Sequence, residues 1–186
     1  MKSTLSINLD NPHINALQAH FDTADEKVEW LVIAHNESSM LSSLATALSG
    51  QAAVILEVPQ ETWNFEDGPL AEAIEWALEE AGVQHIILAG NSQAGTPGRV
   101  SAVSPCEGPA PTGYDRLLAG VQHSSVHHQN AQQQFANQTQ KLWQSNAIQL
   151  RRNDHDVTMF GLFYRCEDGL FLAYDPGSEQ FELMAN

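Results

Sequence analysis

Residues 28–35 read VEWLVIAH, and residues 83–90 read VQHIILAG. Both are short, near-continuous apolar runs rich in β-branched residues. That pattern suits strands buried on both faces, where no solvent side imposes alternation. Residues 52–58, AAVILEV, repeat it. Amphipathic segments separate the three runs. Residues 37–48 place Met40, Leu41, Leu44, Ala45 and Leu48 at helical spacing and run into Gly50, a residue that tolerates the left-handed cap conformation. Asp67-Gly68-Pro69 is a helix-start signature. Leu70, Ala73, Ile74, Ala77, Leu78 and Ala81 then share one helical face before Gly82. Buried strands alternating with helices predict an α/β fold: a mostly parallel central sheet of about four strands with helices on both faces. Residues 157–165 and 170–174, joined by Glu167-Asp168-Gly169, add a C-terminal antiparallel hairpin.

Residues 91–113 interrupt this order with a stretch rich in Gly, Pro and Ser. Its length marks a functional or mobile loop. A Gln-rich helix follows over about 114–145, with a thin apolar stripe including Leu117, Val121, Phe135 and Leu142. It reads as a half-exposed helix or a subunit contact. No internal repeat or interior boundary is visible, so residues 1–186 read as a single domain. At 42% apolar residues the chain can bury a sizeable core.

The formal net charge is −15, with 8 Lys and Arg against 23 Asp and Glu. Such a surface repels phosphate backbones and anionic membranes, which argues against nucleic-acid binding. No stretch reaches the roughly 20 apolar residues of a membrane span. The N-terminal MKSTLSINLDNPHINALQ lacks a signal-peptide core. Cys106 and Cys166 form no paired framework, which suits a reducing compartment. The expectation is a cytoplasmic protein.

Four segments together resemble a known family. LVIAHNESS (31–39) resembles the first signature of the β-class carbonic anhydrases, a buried strand running into Cys-Xaa-Asp-Xaa-Arg. GVQHIILAGNSQAG (82–95) resembles the second, a strand ending in Gly-His-Xaa-Xaa-Cys-Gly. PLAEAIEWALEEAGV (69–83) is similar to the helix before that strand, and VTMFGLFYRCEDGLFLAYDP (157–176) to the family's closing segment. The resemblance implies a parallel sheet with an antiparallel addition, a homodimer, and a zinc held by two thiolates and one imidazole with one position open for water. Thiolate and imidazole suit zinc as a borderline-soft ion.

This sequence departs from the family at each site position. His35 stands at the first thiolate, Glu37 at the Asp and Ser39 at the Arg. Asn91 stands at the ligand His and Ala94 at the second thiolate. Ala94 ligates nothing, and a neutral amide is a poor zinc ligand. These five residues read as a vestigial site, with no zinc or other cofactor expected and no catalytic residue. The leading expectation is a non-catalytic binding, scaffold or regulatory protein, a homodimer or the partner of an active carbonic anhydrase homologue.

Other readings stay open. One is an enzyme with a metal site rebuilt around His35 and Glu37, acting on CO2, bicarbonate or a related small molecule. Another is a small-ligand module using the vacated pocket. His123 and His127 share a helical face at ligand spacing, and His128, Asp154, His155 and Cys106 add donors, but together they match no complete ligand set. Asn91-Ser92-Gln93-Ala94-Gly95 has the place of an anion-binding turn without its full motif, and Ser92 lacks the first Gly of a nucleophile elbow. Nothing beside Cys106 or Cys166 would lower a thiol pKa. His85 reads as structural.

Overall fold

The computed structural model describes residues 4–8, 28–59, 63–93, 113–153 and 157–184. Strands β1 (Thr4–Asn8), β2 (Trp30–His35), β3 (Ala53–Val58), β4 (His85–Asn91), β5 (Thr158–Arg165), β6 (Leu170–Asp175) and β7 (Gln180–Leu183) form one sheet. Their order is β1-β3-β2-β4-β5-β6-β7. The described residues hold four helices, α1 (Ser38–Ala47), α2 (Pro69–Glu79), α3 (Gly113–Gln144) and α4 (Asn146–Asn153).

The pairings from β1 through β5 are all parallel. The parallel part therefore has five strands where the sequence suggests about four. The difference is β1, whose TLSIN has too little apolar character to stand out. The hairpin of β5 and β6 is antiparallel, and a third strand, β7, extends it. Gln180-Phe181-Glu182-Leu183 is short and half polar, so periodicity alone does not mark it.

The apolar runs have no polar alternation because both faces are covered. Leu31, Ile33, Val54, Leu56, Ile86 and Leu88 lie under α2, α3 and α4, with Ile74, Leu142 and Ile148 among the residues covering them. Val32, Ala34, Ile55, Ile87 and Ala89 point the other way, toward Met40 and Leu44 of α1. Pro69 occupies the first turn of α2, where its missing N–H removes no intrahelical bond. Ala94, Cys106, Asp154, His155 and most of the 91–113 loop lie outside the described residues.

Gly90 lets α3 settle on the sheet. A Cβ there would overlap the ring of Phe135, which is buried against Phe163 at a centroid distance of 5.6 Å. Neither the strand nor a packed ring yields easily. Gly90→Ala is expected to destabilise the fold by about 1–3 kcal/mol through overpacking, read as a lowered denaturation midpoint with an unchanged slope.

Candidate functional site

The strand order places a topological switch point between β2 and β4. From β2 the chain moves to β3 on one side, then crosses back to β4 on the other. In open parallel sheets, ligands bind in the crevice beyond the carboxyl ends of the strands at such a point. β2 ends at His35 and β4 ends at Asn91. Two of the positions singled out in the sequence therefore sit where the topology favours a site.

Pleating divides them. His35 pairs in register with Val58 and continues the Leu31–Ile33 side, under α2 and α3. Asn91 continues the Ile87–Ala89 side, toward α1, and pairs with Tyr164. Alternation sends the two side chains to opposite faces. A group held by both would have to lie beyond the strand ends, not inside either layer.

His35 is only 6% exposed, and its ring lies 4.2 Å from that of Trp63, tilted by 46°. Burial disfavours the imidazolium and lowers its pKa to about 4. Asn91 is fully buried. Its Oδ1 accepts a hydrogen bond from the Gln93 backbone N–H at 3.0 Å. His35 Nδ1, Trp63 Nε1 and Asn91 Nδ2 are buried and have no hydrogen-bond partner among the described residues.

Glu37 has a structural task. It is the N-cap of α1, and its carboxylate accepts from the backbone N–H groups of Ser39 at 3.0 Å and Met40 at 2.6 Å. Those donors have no partner within the helix, and a negative charge at the N-terminus also complements the helix dipole. Ser39 is exposed in the first turn.

Beside Asn91 lies a cluster that sequence reading misses. The Ser92 hydroxyl donates to Glu167 Oε1 at 2.8 Å and accepts from the Cys166 N–H at 3.0 Å. His128 Nε2 of α3 lies 2.8 Å from the same carboxylate oxygen. One carboxylate thus ties the end of β4, the β5–β6 turn and α3 together. Partial burial pushes the Glu167 carboxyl up. Its own backbone N–H, the Ser92 hydroxyl and His128 outweigh this and hold it below the usual range. Burial pushes the Cys166 thiol up, with the Glu37 and Glu167 carboxylates adding to the effect. A raised thiol pKa disfavours the nucleophilic thiolate. Ser92 is buried and gives its proton to a carboxylate, not to an imidazole base. Ser92 and Glu167 are 75 residues apart in sequence, beyond the reach of any local motif.

His123 and His127 lie on α3, while His128 turns to Glu167. His85 opens β4 and stacks on Trp30 at 4.3 Å. Among the described residues, no group of three or more His, Cys, Asp or Glu side chains is placed to hold one metal ion.

Solved structures supply the comparison. The β-carbonic anhydrase CcaA superposes with a TM-score of 0.62 at 19% identity, over 92% of this chain and 84% of that one. The fold is that of the β-carbonic anhydrases. CafA, the β-carbonic anhydrase of Aspergillus fumigatus, gives a TM-score of 0.57 at 17% identity, over 90% of this chain and 83% of its own. A tetrameric β-carbonic anhydrase from Sordaria macrospora gives 0.52 at 17%, over 95% and 88%. No protein-family model and no curated protein matches the sequence. The likeness is one of fold, seen at identities of 17–19%.

The buried imidazole makes stability depend on pH. Its folded pKa of about 4 lies below the unfolded value of 6.5, so the unfolded chain binds the extra proton first. The His35 contribution is complete above pH 6.5 and is lost as pH falls toward 4. Its full size is on the order of 3 kcal/mol. His35→Leu should flatten that part of the pH–stability curve, as read by urea unfolding across the window.

Proposed function

We propose that this chain is a divergent β-carbonic anhydrase homologue that holds no zinc at the family's site, does not hydrate CO2, and acts as a binding or regulatory subunit. The observation that carries the reading is the donor set at the switch point. His35 is a buried imidazole with no thiolate beside it among the described residues, Asn91 offers an amide already engaged with Gln93, and the Glu37 carboxylate is committed to capping α1. By the family alignment, Ala94 offers no donor at all. These residues do not fit a tetrahedral zinc, which needs three protein ligands even in an open catalytic site.

A subunit role draws support from an apolar groove of about 620 Å³ lined by Trp30, Trp143, Phe160, Leu162 and Met184. Phe160 and Met184 are exposed, as is neighbouring Leu183. Apolar surface of this kind marks protein contacts. The Sordaria macrospora enzymes are described as tetrameric. By analogy the groove suits a second copy of this chain or an active homologue. The net charge of −15 disfavours nucleic acid as a partner. No helix among the described residues is long and apolar enough to cross a membrane, and we place the protein in the cytoplasm.

The enzyme reading with a rebuilt site around His35 and Glu37 draws less support, because moving the Glu37 carboxylate to a metal uncaps α1. A small-ligand reading has one observation of its own. The unpartnered His35, Trp63 and Asn91 nitrogens would each be satisfied by a small hydrogen-bonding guest or an ordered water.

Metal analysis of the purified chain should find far less than one zinc per molecule, and stopped-flow assays should find no CO2 hydration above the buffer rate. About one tightly held zinc, or turnover abolished by His35→Ala, overturns the proposal. The triple variant His35→Cys, Asn91→His, Ala94→Cys should gain zinc binding. Its failure to do so would show that these positions do not correspond to the family's ligands.

A further inference from the structure

We propose that the groove between α3 and the β6–β7 hairpin is a binding site for a neutral polyhydroxyl ligand the size of a mono- or disaccharide. This inference is independent of the zinc question, since the groove shares no residue with the switch-point site.

The groove encloses about 490 Å³, within the usual range for small-molecule sites. Its helical wall is made by Gln129, Gln132, Gln133, Ala136, Asn137 and Gln140. Those positions follow the i, i+3, i+4, i+7, i+8, i+11 spacing of a single helical face, the period that ordinarily carries an apolar stripe. Here the stripe is almost entirely carboxamide. The opposite wall is Tyr174, Glu179 and Phe181 of the hairpin.

The chemistry of the lining narrows the ligand. Among the described residues the lining holds no cation, and the chain carries a formal charge of −15, so an anion finds little to pair with and much to repel it. The described lining holds one carboxylate, too few for a metal ion. It is too polar for an apolar guest, whose burial would strip water from the amides without replacing their hydrogen bonds. A carboxamide carries two N–H donors and a carbonyl acceptor, and neighbouring hydroxyls present both complements; Gln133 Nε2 already donates to Asn137 Oδ1 at 3.2 Å, which orients that pair. Phe181 supplies an apolar platform for the C–H face of a sugar. Its ring is held in place by Tyr174 at 4.8 Å and Phe163 at 5.7 Å.

Two further observations bear on the groove. Gln140 Oε1 is turned inward, shielded from solvent and without a hydrogen-bond partner among the described residues, an acceptor that a rotation of the side chain would present to a ligand hydroxyl. Glu179 has φ of 56°, the one positive-φ residue other than glycine among the described residues. Such strain gathers at ligand clamps, where the surrounding structure enforces it. Here the enforcing structure is the preceding turn, in which the Asp175 carboxylate accepts from the Gly177 N–H at 2.9 Å and the Ser178 hydroxyl at 2.8 Å.

The test titrates the full, isotope-labelled chain with glucose, maltose, sodium glucuronate and choline chloride, following side-chain amide signals by NMR. Glucose or maltose should give saturable shifts at Asn137 and Gln140, and the two charged probes none. Gln140→Leu should weaken binding about fivefold to tenfold, the loss of one hydrogen bond, while the Tm holds or rises because an unsatisfied buried acceptor is gone. Should that variant fail to fold, Glu179→Gly serves in its place: it relieves the positive φ, raising the Tm, and removes the carboxylate, weakening sugar binding. The proposal is overturned by the absence of a saturable response to either sugar, by an equal response to glucuronate or choline, by unchanged sugar affinity in a folded Gln140→Leu variant, or by shifts that track protein concentration and so report self-association.

Discussion

Everything in this molecule hangs on β2, which pairs in parallel with β3 on one side and β4 on the other. A strand in that position has no solvent-facing edge, so every backbone N–H and C=O must be met by a neighbouring strand. Both its faces are also covered, one by α1 and the other by α2, α3 and α4. The apolar run WLVIA satisfies both demands at once. The same constraint makes β2 the pivot from which the chain departs in two directions, which opens the crevice at its carboxyl end. The location of the site is therefore a consequence of the core.

At that crevice the described side chains are engaged with neighbouring parts of the fold. Glu37 caps α1, His35 is packed neutral against Trp63, and the Asn91 carbonyl oxygen closes its own turn by accepting from Gln93. The Ser92–Glu167–His128 cluster then ties the β4 end to the hairpin turn and to α3. The His128–Glu167 contact is part-exposed, so solvent screens it and it contributes little; Ser92 is the buried member of the cluster, and its hydroxyl is met on both sides, by Glu167 and by the Cys166 N–H.

Much of this architecture was legible in residues 28–90. Buried parallel strands and amphipathic helices carry strong, local signals, and the Asp67-Gly68-Pro69 start and the Glu167–Gly169 turn depend on neighbours only. β1 and β7 were not legible, since TLSIN and QFEL owe their strand character to the edges they extend. The residue types at His35, Glu37, Ser39, Asn91 and Ala94 were visible, yet what the described ones do was not. Nothing in HNESS announces that Glu37 reaches forward to two backbone N–H groups, or that His35 lies under an indole nearly thirty residues away.

By itself the sequence determined the layered α/β plan and the identity of the residues at the strand ends, because hydrophobic period and turn chemistry act over a few residues. Only the tertiary structure decided which of those residues face each other. Pleating sent His35 and Asn91 to opposite sides of one sheet. Chain crossing brought Ser92 to Glu167, and a stripe of glutamines on α3 to the strained turn at Glu179. Those juxtapositions depend on strand register and helix docking, which the whole core sets together and no single segment encodes.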